Sequence, residues 1–389
     1  MKKVYIFDGK RTPIGSFMGE LSTKTAVELG VAAVKAVLHS GDASSIQEIV
    51  MGCVLSAGLG QAPARQVAIL SELSNKVQGS LINKVCGSGL KAITMIADSI
   101  KLGRIELGIA GGMESMSNAP YLLPKVRQGY KYGHTKIVDH MALDGLEDAY
   151  EDGVSMGLLA ERLAEKHSFS RESQDKYAID CVTKAQKALD SGFFKQEIAP
   201  ITIEGKTPYI MEHDEGPRKA KPEKIPLLKP SFKKDGTISA AASSPISDGA
   251  AALLIGSESA IKTSGLKPRA IIHAYTSYSH EPQWFTTAPI TAIKNVLSET
   301  GWSVNDVDLF EINEAFAVVP MAAMHTLSIP AEKVNIQGGA LVLGHPLGAS
   351  GARVVVTLLH ALEQHNLKKG IAALCIGGGE GIAIAIELV

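Results

Sequence analysis

The sequence predicts an α/β protein with two similar halves and a loop-rich insertion between them. Three observations carry this prediction. In the first and last thirds of the chain, short apolar runs alternate with helix-patterned segments. The two thirds resemble each other in order and spacing, as a duplicated domain would. Between them, over residues 118–246, charge rises and a Pro/Lys-rich stretch, "GPRKAKPEKIPLLKPSFKKDG", interrupts any long helix.

The elements follow in order. "KVYIF" reads as a strand. "TAVELGVAAVKAVLH" reads as a helix, with Leu29, Ala33, Ala36 and Val37 on one face. "EIVMGCVL" is a strand and "ARQVAILSEL" a helix. After Cys86, the residues Leu90, Ile93, Ala97 and Ile100 share a helix face, and "LGIAGGM" is the next strand. In the last third, "RAIIHAYT" and "VDLFEI" are strands, while "ITAIKNVLSET" and "NEAFAVVPMAAMHTL" are helical. "SGARVVVTLLHALEQ" reads as an amphipathic helix. "IAALCI" and "GIAIAIEL" form a strand pair joined through "GGGE". Such alternation implies a mostly parallel sheet covered on both faces. The duplication pairs "SIQEIVMGCV" at 45–54 with "SVNDVDLFEI" at 303–312. It pairs "GSGLKAITMIADSIKLGRIELGIAGGME" with "GASGARVVVTLLHALEQHNLKKGIAALCIGGGE". A pseudo-two-fold then brings the helix start at Cys86 and the one near His345 to related positions, at the interface of the halves.

The composition narrows the function. The chain of 389 residues is 45% apolar and 20% charged, a globular profile that exceeds one ordinary domain. Lys+Arg at 39 against Asp+Glu at 40 argues against a dedicated nucleic-acid binder. The four cysteines, Cys53, Cys86, Cys181 and Cys375, have neither disulfide-framework nor zinc spacing, so no metal site is indicated. No apolar run reaches the length of a membrane span, and the N-terminal stretch lacks leader character. The expectation is a cytoplasmic protein with reduced thiols.

Four small-residue turns carry the chemistry. Cys86, in "INKVCGSGLKAI", sits where a strand ends and a helix begins. There the helix field favours a thiolate, with Gly87 and Gly89 keeping the approach open. His345, in "GGALVLGHPLGASG", stands in an exposed glycine-rich loop suited to a base. Cys375 ends a strand before three glycines whose N–H groups can serve an oxyanion. Asn313 and Glu314, in "NEAF", lie at the end of an apolar strand.

These motifs resemble the thiolase family, the acyl-CoA C-acyltransferases, and within it the acetoacetyl-CoA type. The resemblance runs from "RTPIGSFMGEL" through "INKVCGSGLKAI", "GGMESMSNAPY", "SSPISDGAAALL" and "NEAFA" to "GGALVLGHPLGASGAR" and "LCIGGG". It implies a duplicated core in α-β-α-β-α layers. Residues 1–117 with 247–267 form one half and 268–389 the other. Residues 118–246 form a loop domain for coenzyme A (CoA) binding and tetramer contacts. It also implies a lipid-metabolism transferase that joins two acetyl-CoA to acetoacetyl-CoA and CoA, or reverses this, with no cofactor beyond CoA as substrate and product.

The resemblance also implies roles. Cys86 is the acyl-carrying nucleophile, His345 activates it, and Cys375 exchanges the α-proton. Asn313, through a water, joins His345 at the enolate oxygen, and the N–H groups of Cys86 and Gly377 form the oxyanion hole. Arg218 contacts the nucleotide end of CoA. Leu146, Met156, Phe232, Ala240, Ser244, Ala315 and Phe316 line the groove. "LPKVRQGYKYGHTKI" resembles the cationic loop of a homotetramer.

This chain departs from many relatives in having Ala242-Ser243-Ser244, Ser155 and Phe285. Phe285 resembles the branch that accepts 2-methyl-branched substrates. Two other readings are a broader 3-ketoacyl-CoA thiolase and a non-catalytic acyl-CoA or lipid-binding relative. The intact Cys–His–Cys set speaks against the second of these, and Cys375 speaks against a decarboxylating ketoacyl synthase.

Overall fold

A computed structural model of the chain describes residues 2–38 and 43–389, apart from the side chains of 263 and 264. Its main feature among these residues is a ten-stranded sheet. Across the sheet the strands run Leu309–Ile312, Lys369–Ile376, Glu380–Leu388, Ala270–Ser279, Val4–Arg11, Ser247–Ser257, Leu107–Ser115, Glu48–Gly52 and Gln78–Ile82. The two-residue strand Gly15–Ser16 pairs with Ser247–Ser257.

The order contains the duplication. In each half the first strand lies at the junction, and the last is inserted beside it, antiparallel to both neighbours. Apart from the short antiparallel pairing of Gly15–Ser16, the remaining pairs within each half are parallel. In the C-terminal half the strand matching Gln78–Ile82 shrinks to one parallel bridge, Phe310 to Val334. The halves join antiparallel through Tyr5–Ile271 and Ile6–Ala270. The expected mostly parallel sheet is therefore mixed, because the inserted last strand turns two ladders in each half antiparallel.

The register also corrects the pairing of the halves. Glu48 pairs with Gly108, and Leu309 pairs with Gly370. Gln47 accepts hydrogen bonds from the N–H groups of Glu106 and Leu107, at 2.6 and 3.4 Å. Asp308 accepts those of Lys368 and Lys369, at 2.9 and 2.8 Å. Gln47 and Asp308 therefore hold the same position, whereas matching Ser45 to Ser303 sets the halves out of step.

The start of the first helix has a local cause. Thr25 and Glu28 form a capping box that starts the helix Ala26–Val37. His39, the last residue of that predicted helix, lies outside the described residues. The strand "SDGAAALLIGS" is buried throughout, as expected where helices cover both faces. The helices Ser88–Lys101 and Leu347–Gln364 pack between the strands of the two halves of the sheet, and the helices Ala26–Val37 and Ala288–Thr300 cover the outer faces.

Close approach of the central helices requires glycine. A Cβ on Gly89 would come within 2.6 Å of the Ala352 nitrogen, and one on Gly351 would collide with that of Leu90. Gly89 therefore serves helix crossing rather than an open approach to Cys86. The helix Leu347–Gln364 is buried on every side as far as Leu362, so it is not amphipathic. Its polar residues Arg353, Thr357 and His360 make buried hydrogen bonds instead. No helix among the described residues is long and apolar enough to cross a membrane.

Candidate active site

The turn between Gln78–Ile82 and Ser88–Lys101 presents Cys86. Val85 adopts φ +45°, a left-handed conformation rare for a β-branched residue. Three bonds hold it. Val85 N–H donates to Asn83 Oδ1 at 2.9 Å, Lys84 N–H donates to Ser88 Oγ at 2.8 Å, and Ser88 Oγ donates to the Val85 carbonyl at 2.6 Å. Strain of this kind at a sharp strand-to-helix turn exposes a nucleophile in other α/β enzymes.

His345 follows Gly344, whose φ of +115° suits glycine. Ser350 Oγ donates to the Pro346 carbonyl at 2.9 Å, so it accepts from His345 Nδ1 at 2.5 Å. That fixes the tautomer: Nδ1 carries the proton and Nε2 is the free base. Asn313 Nδ2 lies 3.4 Å from that Nε2. Cys375 is the penultimate residue of the strand Lys369–Ile376, fully buried, before a turn in which Gly378 and Gly379 take positive φ.

Two of these residues, Cys86 and His345, open on one cavity of about 480 Å³. Cys86, His345 and Gly377 line it, together with Leu146, Met156, Phe232, Ala240, Ser244, Phe285, Ala315 and Phe316. Phe316 meets Phe232 and Phe285 edge-on, with centroids 5.8 and 6.4 Å apart. Ser244 N–H donates to the Ala315 carbonyl at 3.0 Å, which laces the two wall loops together. Asn313 and Cys375 sit behind the wall, fully buried. Arg218 stands apart: its side chain is 54% exposed, 4.0 Å from Glu20, and does not line the cavity.

Burial reverses the expected electrostatics. It pushes the Cys86 thiol up to about 11, although the N–H groups of Gly377 and of Cys86 itself pull the other way. Burial, then the Arg353 charge, lowers His345 to about 3. His345 is 5% exposed rather than open to solvent. The resting pair is thus a neutral thiol and a neutral imidazole, not a preformed thiolate. Burial also raises Cys375 well above the usual thiol range, and the nearby Cys86 adds to this.

The sequence reading missed the supporting residues Glu114, Glu311 and Arg353, and placed Glu314 among the site candidates. Glu114 is fully buried and accepts from the N–H groups of Val54, Leu55 and Gly348, at 3.0, 3.0 and 2.8 Å. Glu314 holds Tyr177, Asn335 and the Leu341 N–H at 2.7, 2.7 and 3.0 Å, so it braces the loop rather than facing the cavity. Glu311 and Arg353 form a buried pair at 2.6 Å behind Asn313. Their one sequence signal is a charge inside an otherwise apolar strand or helix.

Two family models cover almost the whole chain: thiolase N-terminal domain over residues 4–259 and thiolase C-terminal domain over 266–388. This chain belongs to the thiolase family. An acetyl-CoA acetyltransferase of Saccharomyces cerevisiae is 49% identical over 395 residues, covering 99% of each chain. One from Pseudomonas aeruginosa is 44% identical over 391 residues, again covering 99% of each. Among solved structures, Acat5 thiolase from Ascaris suum in complex with coenzyme A matches with a TM-score of 0.94. It is 43% identical, over 100% of both chains. The Bacillus anthracis acetyl-CoA acetyltransferase matches with a TM-score of 0.97 at 39% identity, over 100% of this chain and 99% of its own.

Proposed function

We propose that this thiolase condenses two acetyl-CoA into acetoacetyl-CoA and CoA, and runs the same path in reverse as thiolysis. The observation that carries the reading is the convergence of Cys86, His345 and Gly377 on one cavity with mainly apolar walls. Nε2 of His345 takes the thiol proton as the Cys86 sulfur attacks the thioester carbonyl carbon. Because the resting pair is neutral, proton transfer accompanies attack. The N–H groups of Cys86 and Gly377 stabilise the oxyanion, and CoA leaves with the proton from His345. Cys375 then passes its thiol proton to Nε2 of His345, and the thiolate so formed removes an α-proton from the second acetyl-CoA. A water on Asn313, with the new Nε2–H of His345, stabilises the enolate oxygen. The α-carbon attacks the acyl-cysteine, releasing acetoacetyl-CoA; Cys86 takes its proton back from His345, and the α-proton stays on Cys375.

The same reading makes CoA a substrate and product with no further cofactor. Arg218 takes its nucleotide end, and the loop domain at 118–246 supplies the groove and the contacts of a cytoplasmic homotetramer. Phe285 favours one extension: its place in the cavity wall supports thiolysis of 2-methylacetoacetyl-CoA. Undetectable cleavage of that substrate, with acetoacetyl-CoA cleaved well, would end the extension.

The decisive assay follows loss of acetoacetyl-CoA absorbance when CoA is added. Turnover is expected, and Cys86→Ala should abolish both turnover and labelling by radioactive acetyl-CoA. Persistent labelling of the variant would defeat the assignment of Cys86. Absent turnover with CoA still bound would favour the non-catalytic role.

A further inference from the structure

Asn313 is held from behind. Its Oδ1 accepts from Arg353 Nη2 at 3.2 Å, and Arg353 Nη1 donates to Glu311 Oε1 at 2.6 Å. A guanidinium has only donors, so the Asn313 oxygen must face Arg353 and its NH2 must face His345. A flipped amide would set NH2 against guanidinium and an oxygen against the Nε2 lone pair. Glu311 lies two residues before Asn313 in the chain and Arg353 one helical turn after Ser350, so strand and helix are locked at the same place. Asn313, Arg353 and Glu311 are all buried, which makes an unpaired member costly. The cation also helps to keep His345 neutral.

We propose that Arg353, held by Glu311, is a positioning residue for this reaction: it acts through Asn313 to fix the donor face turned toward His345 and the enolate. The proposal rests on the reading of Asn313 given above. It concerns the enolate-forming step, since acylation of Cys86 uses His345 and the two N–H groups alone.

Two exchange reactions separate these steps in the full enzyme. Exchange of labelled CoA into acetyl-CoA reports acylation only. Deuterium uptake at the acetyl α-carbon in D2O reports proton removal. Arg353→Met is expected to slow deuterium uptake by about 100-fold, the size of one lost oxyanion donor. CoA exchange should fall by less than about tenfold. Asn313→Ala should show the same split, and the double variant should be no slower than Asn313→Ala, because one residue acts through the other.

Arg353→Lys keeps the charge but cannot grip Glu311 and Asn313 at once. It should restore part of the lost uptake, and if Arg353→Met does not fold, it should show the same split at about tenfold. Equal loss of both exchanges in folded variants, unchanged uptake, or multiplied effects in the double variant would overturn the proposal. If Asn313→Ala itself leaves uptake unchanged, the failure lies with the role given to Asn313 instead.

Discussion

In the N-terminal half, the strand Gln78–Ile82 reaches its central helix through residues 83–87, a tight turn with a strained Val85. In the C-terminal half the matching strand is the single bridge at Val334, and the longer connection 335–346 carries His345. Counting from Gly108 and Gly370, Met113 is matched by Cys375 and Glu114 by Ile376. Ser88 is matched by Ser350, so Cys86 is matched by Gly348. One helix start is thus filled by the Glu114 carboxylate, which accepts the Gly348 N–H. At the other, Ile376 offers no carboxylate, and the Cys86 N–H is the group that the proposed mechanism turns toward the oxyanion. Duplication supplied two equal frames, and the chemistry comes from where they differ.

The strongest way to break this comparison is to make the second frame like the first. Cys375→Met should lower condensation by about a thousandfold, the range for a lost general base, while CoA exchange through Cys86 survives. If both reactions fail equally in a folded variant, the frames do not divide the labour as described. Next in size, Glu114→Ala strands three N–H groups in the interior and should cost about 3–5 kcal/mol in denaturant unfolding. Glu114→Gln retains an acceptor and should cost about 1–2 kcal/mol.

A smaller effect sharpens the electrostatic difference. His345 has a folded pKa of about 3, below its ordinary 6.5. Between these values the unfolded chain binds the extra proton, so this group makes stability fall as pH falls from 6.5 and contributes nothing further above it. The stability gap between wild type and His345→Gln should change by up to about 1.4 kcal/mol per pH unit over pH 6.5–4.5. A gap independent of pH would mean that His345 titrates normally. For the same reason, iodoacetamide labelling of Cys86 should climb through pH 8–10 without a plateau near neutrality. The smallest test concerns the frame itself. Gln47→Ala and Asp308→Ala should each cost about 1 kcal/mol, because both side chains hold the same two N–H groups of their halves.

Much of this was legible in the sequence. Cys86, His345 and Cys375 stand beside glycines at strand and helix boundaries, and such punctuation is local. The register was not legible, since Ser45 and Ser303 suggest a match that only the hydrogen bonds of Gln47 and Asp308 correct. Nor was the protonation state, because thiol and imidazole respond to burial by residues distant in the chain. Arg353 carries no local mark of burial in the sequence, where its helix reads as amphipathic. Its burial follows from strands of both halves packing against that helix, which no local pattern announces.

The crossing of the central helices at Gly89 and Gly351 has a consequence during synthesis. Residues near opposite ends of the chain must meet there, so this contact forms late and slowly. Cys86 leaves the ribosome long before His345 and Gly377 do. Until the last hairpin closes, the thiol lacks both the base and one of the two N–H groups that the proposed mechanism assigns to it. A nascent or truncated chain therefore carries an ordinary exposed thiol, and under the proposed mechanism directed acyl transfer arrives only with the completed fold.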